Sequence, residues 1–448
     1  MGNWRRLILP TAQIMTTYQQ MQPATLKEHA GKDIVFEDQR KEAILAAIFI
    51  ARTFFEQINL KVKYRGLENL RGRRVAFVAN HQGGNLDAMV ISSILFAEQS
   101  RVPFIPTSDR LLEAHLIGQF NEYLKYVGPF FIRSSFNNDQ AYMAQVLKLM
   151  DAILDARQYL LFFLEGDTSK GGKPRPPKRG LIKSLTHTSV TFCPVSITYE
   201  SALNDNGIRK KALHVHQVVQ NFTQRQVGTC YVTFGECIDS DPSDPFQCHK
   251  ALTEQLSAAI YSEIPILTVD LIATVLLDRD ELTLKELDQR VQELESLVRR
   301  RHLPLVSKDT GKALEAIKHL LTEHTGSKKY SVRNPVVLNF YRNRALQAFF
   351  DLAQPPSLLK YECCWRPCPY LLQPGDERIR DLAVRMLAPL LAAYETVISH
   401  IGLGTTKEVL WGLLAENPNT TCCTLDNILL VLQEAGTIRV EGHDILPV

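Results

Sequence analysis

Between about residues 60 and 238, short apolar runs alternate with longer stretches in which apolar residues recur every three to four positions. Short runs are typical of buried strands, and the longer stretches are typical of helices packed on a sheet. The alternation predicts an α/β fold, with a mixed sheet flanked by helices. The strand candidates are residues 75–79, 104–106, 130–133, 159–164, 192–199 and 230–234, and helices are predicted between them, for example at 111–127 and 139–156.

The pattern changes near residue 245, after which strand signals nearly vanish. Apolar residues then recur at helical spacing in the segments 282–301, 311–325 and 378–401, and the tail after residue 424 resembles a helix followed by a short hairpin. We therefore predict an N-terminal helical segment, an α/β domain and an all-helical C-terminal domain, at residues 1–59, 60–240 and 241–448 respectively.

One apolar stretch, residues 43–51, lies between Lys41 and Arg52. It has about half the length that a membrane-spanning helix needs, so we expect no spanning segment in the chain. Phe54 and Phe55 continue its apolar face at helical spacing. Such a helix either packs against the rest of the protein or lies on a bilayer surface, and the pattern alone leaves both alternatives open.

Composition and charge narrow the classes of function. The chain has 448 residues and a formal net charge of only +3, and its basic segments lack interleaved aromatic residues, so we expect no nucleic-acid partner. Nine scattered cysteines do not resemble a disulfide framework, and we expect reduced thiols in the cytoplasm. His214 and His216 share one strand face, but no nearby acidic residue or cysteine completes a set of metal ligands.

The candidate chemistry begins where the apolar run 75–79 ends. Asn80 and His81 follow this run, two glycines come next, and Asp87 opens a second apolar run, which predicts a strand, a tight loop and a helix. A neutral imidazole is the usual general base near pH 7, and a carboxylate on its far nitrogen fixes the tautomer. The alternative is a histidine in an ordinary loop, with Asp87 as the N-cap of the helix.

Three further blocks follow along the chain. Arg133 ends the apolar run 130–133, Glu165 and Gly166 end another such run, and Pro194 lies near the start of a third. Between residues 170 and 183 there are six lysines or arginines and no acidic residue. Each block also has a purely structural explanation: an ion pair for the arginine, an ordinary turn for the Glu-Gly pair, and a solvated charged loop for the basic segment.

In this order and spacing the four blocks resemble the glycerol-phosphate and dihydroxyacetone-phosphate acyltransferase family across roughly residues 60–240. That family carries Asn-His followed by Asp, then Phe-Phe-Ile-Arg, then a strand ending in Glu-Gly with serine and basic residues, and then Pro-Val-x-Ile-x-Tyr. A weaker likeness continues through residues 231–236 and the Phe-Tyr-Arg-Asn-Arg run at 340–344. These segments resemble the branch that contains the bacterial glycerol-3-phosphate acyltransferase.

The resemblance implies transfer of a fatty acyl group from an acyl thioester, on coenzyme A or acyl carrier protein, to a hydroxyl of a phosphorylated polyol such as glycerol-3-phosphate. His81 would be the general base and Asp87 its partner, with no acyl-enzyme, no metal and no further cofactor. The expected substrate-binding residues are Arg133, Glu165, Gly166, Ser169, Lys170 and Lys173. Because the product is an amphiphile, we expect a cytoplasmic protein bound peripherally to a membrane surface.

Three positions depart from the family pattern. Five residues separate His81 from Asp87 where the family has four, Thr168 stands at the usual arginine after Glu-Gly-x, and Ser134 replaces the second arginine of Phe-Phe-Ile-Arg-Arg. Glycines in the loop can absorb one extra residue, whereas lysine cannot reproduce the bidentate grip of arginine on phosphate. Two alternatives therefore remain: a catalytically weakened scaffold or lipid-binding homologue, and an acyltransferase with a different acceptor.

Overall fold

The structure is a computed structural model. It describes residues 4–109, 124–133, 139–166, 168–169, 171–175, 177–202, 227–242, 249–279, 281–349, 377–401, 405–415, 425, 428–429, 432–433, 437–441 and 444–447. The chain forms two compact units. The first unit comprises Met1–Thr168, Pro177–Tyr199 and Leu213–Ile264, and the second comprises Ser169–Pro176, Glu200–Ala212 and Pro265–Val448. The basic segment after Gly166 is thus shared between the units.

The first unit is built around a seven-stranded mixed sheet. Its strands are β1 (Arg5–Arg6), β2 (Leu60–Arg65), β3 (Val75–Ala79), β6 (Leu160–Phe163), β7 (Thr191–Tyr199), β8 (Gly228–Phe234) and β9 (Ile238–Asp239). The order is β1-β2-β8-β7-β3-β6, and β9 pairs with β7. Strand β3 runs parallel to both β6 and β7, whereas β8 is antiparallel to β7 and parallel to β2. The predicted mixed sheet is confirmed.

Two more strands extend this arrangement beyond β6. Strands β4 (Ile105–Ser108) and β5 (Pro129–Ile132) form a parallel pair, and Phe104, just before β4, makes a parallel bridge to Leu160 of β6. Strands β3, β6, β4 and β5 therefore run in the same direction in this spatial order. The residues that follow these strands lie at one edge, which is where open α/β sheets place their ligand sites.

Helices cover the sheet of the first unit. They are α1 (Thr11–Gln20), α2 (Lys41–Gln57), α3 (Asn85–Gln99), α4 (Gln140–Asp155), α5 (Gly180–Leu185) and α6 (His249–Ser262). Helix α4 and helix α6 bury their apolar faces in one core cluster with β3 and β6, where Val146, Leu256, Val78 and Phe162 all lie. Asp139 caps α4 by accepting a hydrogen bond from the Tyr142 N–H. The predicted helix at 139–156 is confirmed, and most of the one at 111–127 lies outside the described residues.

Helix α2 contains the apolar stretch 43–51, for which the sequence could not distinguish packing within the protein from binding to a membrane surface. Ile44 and Ile48 pack into a cluster with Ile14 of α1 and Phe96 of α3. Ile50 is the large apolar residue of this helix that remains exposed. The helix therefore packs chiefly within the protein. No helix among the described residues is both long and apolar enough to cross a membrane.

The second unit is rich in helices. They are α7 (Thr268–Asp278), α8 (Leu284–Arg300), α9 (Thr310–Leu314), α10 (Pro335–Arg344), α11 (Glu377–Ile401) and α12 (Lys407–Ala415). Short strands accompany them, which the expectation of an all-helical domain did not include: β10 (Ile266–Leu267), β11 (Leu282–Thr283), β12 (Leu305–Val306), β13 (Leu321–His324), β14 (Lys329–Val332), β15 (Thr405–Thr406), β16 (Ile438–Glu441) and β17 (Asp444–Pro447).

Among the described residues, one helix prediction is wrong in its second half. Helix α9 ends at Leu314, and the rest of the segment 311–325 forms a short 3₁₀ turn and then β13. Strand β13 pairs antiparallel with β14, with Leu321 opposite Val332. The reason is tertiary pairing, which overrides a helical spacing of apolar residues. The hairpin at the C-terminal tail, β16 with β17, is confirmed.

Candidate active site

Asn80 fixes the end of β3 in the first unit. Its side-chain Nδ2 donates a hydrogen bond to the Ile197 carbonyl (2.9 Å), and its Oδ1 accepts one from the Ile197 N–H (2.8 Å). The buried amide thus continues the ladder between β3 and β7 by one more residue. A strand end held in this way places the next residue, His81, at a defined position at the sheet edge.

His81 and Asp87 form the central pair of the site. The imidazole Nδ1 lies 2.7 Å from Asp87 Oδ2, and the ring stacks on Phe163 with centroids 4.0 Å apart and planes at 17°. The His81 side chain is 17% exposed, whereas that of Asp87 is 0% exposed. The imidazole is therefore held on two sides while one edge still reaches the surface.

The Asp87 carboxylate is held by several donors in addition to His81. The N–H groups of Gln82 and Gly83 donate to it at 2.8 Å, and the Tyr199 hydroxyl donates to Oδ1 at 2.7 Å. Burial, with Asp87 as a further cause, raises the pKa of Tyr199 well above its usual range, so this phenol keeps its proton. Since an ionised carboxylate only accepts, Nδ1 of His81 carries a hydrogen and Nε2 of the neutral ring has a lone pair.

The extra residue between His81 and Asp87 is absorbed by the glycine loop. Gly84 adopts φ +60° and ψ −138°, a conformation that only glycine adopts without strain. Helix α3 begins at Asn85, so Gly84 is its N-cap and Asp87 is the third helical residue. The alternative of Asp87 as N-cap is thus wrong, because its carboxylate turns back to the loop and to His81.

Glu165 and Gly166 follow β6, the strand next to β3. Glu165 is buried, and its carboxylate accepts a hydrogen bond from the Tyr261 hydroxyl of α6. Gly166 has φ +64°, and a Cβ built on it would lie 2.4 Å from Cδ of Lys178. Glycine is therefore needed at this turn for both its conformation and the close approach of the Lys178 side chain.

Arg133 follows β5, the last of the parallel strands. Its Nη1 donates to Asp139 Oδ2 at 2.9 Å, Nη2 lies 3.9 Å from Asp33 Oδ2, and the guanidinium stacks 4.1 Å from the Tyr142 ring centroid. The side chain is 43% exposed. The ion pair that the sequence left as an alternative is thus present. Three strand spacings, about 14 Å, separate the ends of β3 and β5.

The remaining predicted residues belong to the second unit, apart from Lys170, which lies outside the described residues. The Ser169 hydroxyl donates to the Lys173 carbonyl at 2.7 Å, and both residues are buried. Ser169 therefore closes a turn of the main chain. Lys173 is 4% exposed, so it is not part of the solvated charge of the basic segment.

Sequence reasoning did not find the supporting roles of three residues at this site. Asn80 and Tyr199 were noticed as parts of motifs, but their bonds join positions 117 and 112 residues apart in the chain. Tyr261 lies 96 residues from Glu165 and outside every motif. A polar residue directly after a buried strand was the only signal, since long-range pairs leave no local pattern.

Comparisons with known proteins agree with the motifs. The family model described as Acyltransferase matches residues 61–198, and the model described as Glycerol-3-phosphate acyltransferase C-terminal region matches residues 210–354. A glycerol-3-phosphate acyltransferase of Pseudomonas fluorescens is 25% identical over 66% of this chain and 41% of its own length. A dihydroxyacetone phosphate acyltransferase of Mus musculus is 23% identical over 59% of this chain and 42% of its own length.

The chain spans less than half the length of these curated relatives. Among solved structures, a 1-acyl-sn-glycerophosphate acyltransferase of Thermotoga maritima matches with a TM-score of 0.34 and 18% identity, covering 56% of this chain and 84% of that chain. Between them the two family models include every motif quoted above except Tyr199, the last residue of the Pro-Val-x-Ile-x-Tyr block. The chain is thus similar to the acyltransferase domain and to the C-terminal region of glycerol-3-phosphate acyltransferases, the family that its motifs resemble.

Proposed function

We propose that this protein is an O-acyltransferase that moves a fatty acyl group from an acyl thioester to a hydroxyl of a glycerol-3-phosphate-like acceptor. The observation that carries the proposal is the His81–Asp87 pair, with Nδ1 and Oδ2 2.7 Å apart and the carboxylate buried. A buried carboxylate that orients an imidazole is the arrangement that general-base catalysis needs. The donor would be acyl-CoA or acylated acyl carrier protein.

The reaction follows from the free lone pair of His81. Nε2 takes the proton of the acceptor hydroxyl as its oxygen attacks the thioester carbonyl carbon, and Asp87 stabilises the imidazolium that forms. Collapse of the tetrahedral intermediate breaks the carbon–sulfur bond, and the leaving thiolate takes the proton from Nε2. The acyl group passes directly, because no serine or cysteine side chain among the described residues forms a hydrogen bond with His81. This chemistry requires no metal or cofactor.

Backbone N–H groups of the glycine loop are candidates to stabilise the tetrahedral oxyanion. Gly83 is excluded, since its N–H already donates to both oxygens of Asp87, at 2.8 and 3.0 Å. The Gly84 N–H has no acceptor among the residues that the structure describes. It lies at the N-terminus of α3, where the helix dipole favours negative charge. We assign the oxyanion to Gly84.

The acceptor pocket is proposed at the sheet edge where Glu165 and Arg133 follow their strands. Glu165 is anchored by Tyr261, which holds the carboxylate in place for hydrogen bonds to acceptor hydroxyls. Arg133 would bind an acceptor phosphate only by exchanging its partner Asp139, which reduces its value for that role. Ser169, Lys170 and Lys173 stay as family-implied binding residues, with Ser169 acting through the turn that it closes.

Peripheral membrane association is also proposed, because the product is an amphiphile that must leave toward a bilayer. Lys178, two residues before α5, and Lys183, within α5, are exposed, whereas Lys173 is buried. Exposed lysines attract anionic lipids. The apolar contribution of α2 is limited to Ile50, since the other face of that helix packs within the protein.

The decisive experiment measures acyl transfer from labelled acyl-CoA, and separately from acylated carrier protein, to a panel of acceptors. We expect transfer to glycerol-3-phosphate or dihydroxyacetone phosphate, and its loss in His81→Ala by a factor of about 10²–10⁴. His187→Ala is a matched control, since His187 is an exposed histidine 3.3 Å from Asp151, outside the site. No transfer by the wild type to any acceptor would favour the scaffold, and transfer to other acceptors only would favour an enzyme of different specificity.

A further inference from the structure

Two buried arginines lie on helix α10 of the second unit, in the Phe-Tyr-Arg-Asn-Arg run, and they differ in their partners. Arg344 pairs with the buried Asp270 of α7: its Nε donates to Oδ1 at 2.8 Å, and its Nη2 donates to the same oxygen. The side chains of this pair are 2% and 0% exposed. The charge of Arg344 is thus compensated inside the protein.

Arg342 is buried without such a partner. It is 5% exposed, its Nε is closed off from solvent, and its side chain forms no hydrogen bond or ion pair with any residue that the structure describes. Burial lowers the pKa of Arg342 to about 10, so the guanidinium is still charged at neutral pH. An uncompensated buried charge is destabilising, and a group kept in that state calls for a ligand that compensates it.

Two asparagines lie on the same face of α10 as Arg342. Asn339, Arg342 and Asn343 are spaced i, i+3 and i+4, so they share one face of the helix. Asn343 Nδ2 donates to the Gly171 carbonyl at 2.7 Å. Gly172, with φ +72°, lies so close to α10 that a Cβ on it would be 2.0 Å from the Phe340 carbonyl oxygen.

These contacts place the glycine-rich part of the basic segment against the polar face of α10. Lys173, the next residue, is also buried in the second unit. Two cationic side chains therefore lie inside the second unit near a turn of closely packed main chain. A planar guanidinium binds two phosphate oxygens at once, and an ammonium group adds a point charge.

We infer that Arg342, with Asn343 and Lys173, forms a phosphate-binding site in the second unit. The inference deepens the proposed function, since both the acceptor and coenzyme A carry phosphate groups. The site is built entirely from residues of one unit.

The test follows thermal unfolding of the full-length protein in inorganic phosphate against potassium chloride of matched ionic strength. We expect phosphate to stabilise the wild type by preferential binding to the folded state. In Arg342→Met the dissociation constant for phosphate should rise about 10- to 100-fold, which is the value of a charge-assisted hydrogen bond. Without phosphate this variant should melt at or above the wild-type temperature, because an unpaired buried charge has been removed.

Arg344→Met is the matched control on the same helix. It should melt well below the wild type, since Asp270 is left buried and unpaired. If the melting temperature of Arg342→Met falls by as much as that of this control, or if phosphate does not stabilise the wild type, the inference is wrong. Should Arg342→Met fail to fold, Arg342→Lys decides: it keeps the charge but not the bidentate geometry, and wild-type phosphate affinity in it would overturn the site.

Separate arms identify the source of the phosphate. Stabilisation by glycerol-3-phosphate that is lost in Arg342→Met, with coenzyme A binding unchanged, assigns the site to the acceptor, and the reverse result assigns it to the donor. Glycerol without phosphate should have no effect in either protein. None of these measurements needs acyl transfer, so a failure of the proposed activity and a failure of the phosphate site are distinguished.

Discussion

Nδ1 of His81 lies 2.7 Å from Oδ2 of Asp87, although five residues separate the two in the chain. The longer spacing is compatible with a closed pair because Gly84 takes a positive φ and turns the loop back toward the start of α3. The loop N–H groups of Gln82 and Gly83 then point at the same carboxylate. The loop conformation and the His81–Asp87 pair therefore depend on each other, and a change in either should affect the other.

Asp87→Asn should lower the rate of acyl transfer by about 10²–10⁴. An amide in place of the carboxylate can present its NH₂ to Nδ1, which favours the wrong tautomer of His81 and removes the charge that stabilises the imidazolium. Steady-state kinetics with acyl-CoA and glycerol-3-phosphate measure this effect.

Tyr199→Phe is the control for Asp87→Asn, since it removes one hydrogen bond to Asp87 and leaves the carboxylate in place. We expect a loss of stability of about 1 kcal/mol and a much smaller change in rate. A rate for Asp87→Asn equal to that of Tyr199→Phe would show that the carboxylate only supports the loop.

Gly84→Ala should destabilise the protein by about 1–3 kcal/mol and slow acyl transfer. Steric collision is not the reason, because a Cβ at this position would meet nothing within 4 Å. The backbone conformation, φ +60° and ψ −138°, is the cause, since an alanine there is strained and shifts the loop that holds Asp87.

Gly180→Ala is the matched control for Gly84→Ala. Gly180 begins helix α5, has the same open space around it, and does not have a positive φ. Alanine there should either leave the free energy of unfolding unchanged or raise it by at most about 1 kcal/mol. Calorimetry of both variants separates backbone strain from the mere addition of a methyl group, and equal melting temperatures would contradict the strain argument.

Six strands of the first unit, β3 to β8, and the His81–Asp87 pair could be predicted from the sequence because their signals are local, whereas β1, β2 and β9 were not predicted. Strand β3 is an uninterrupted apolar run, and His81, the glycines and Asp87 follow it within eight residues. The bonds from Tyr199 to Asp87 and from Tyr261 to Glu165 could not be predicted, since they depend on which strand or helix packs next to which. The unpaired state of Arg342 was equally invisible, because the sequence shows Arg342 and Arg344 as two similar cations.

Asp139→Asn tests whether Arg133 binds the acceptor phosphate. Asparagine is as good an N-cap as aspartate, so helix α4 keeps its cap while Arg133 loses a charged partner. If Arg133 binds the acceptor phosphate, the affinity of Arg133 for phosphate should increase in Asp139→Asn. The KM for glycerol-3-phosphate should then fall severalfold, with kcat unchanged.

Arg133→Ala is the complementary variant. It should raise the KM for glycerol-3-phosphate and leave the KM for the acyl donor unchanged. If the acceptor KM is unchanged in both variants, Arg133 has only a structural role.

Asp139→Asn should also change how the stability of the protein depends on pH. The Tyr142 backbone N–H, together with Arg133, lowers the pKa of Asp139 below its usual value. A carboxyl group whose pKa is lower in the folded than in the unfolded state stabilises the protein above its unfolded pKa of about 3.9, and this stability is lost as the pH falls through the folded value. Melting temperatures of wild type and Asp139→Asn should therefore converge below about pH 4, and parallel curves would contradict the shift.

Binding to anionic liposomes should depend on the exposed lysines near helix α5 more than on helix α2. A lysine near an anionic surface contributes about 1 kcal/mol, so Lys178→Ala with Lys183→Ala should weaken binding about 30-fold. Ile50→Ser should have a smaller effect, because Ile50 is the one large exposed apolar side chain that α2 retains among the described residues. Cosedimentation with vesicles containing phosphatidylserine measures both.

Salt dependence and a control lysine complete this test. Attraction between charges is screened as salt rises, whereas apolar insertion is not. Wild-type binding should therefore weaken steeply between low and physiological salt, and a small fraction of the binding should remain. Lys61→Ala removes an exposed lysine from strand β2, away from the basic segment, and should bind like the wild type. Equal binding to neutral and anionic vesicles would exclude the basic segment, and equal losses in Lys61→Ala and Lys183→Ala would show that only net charge matters.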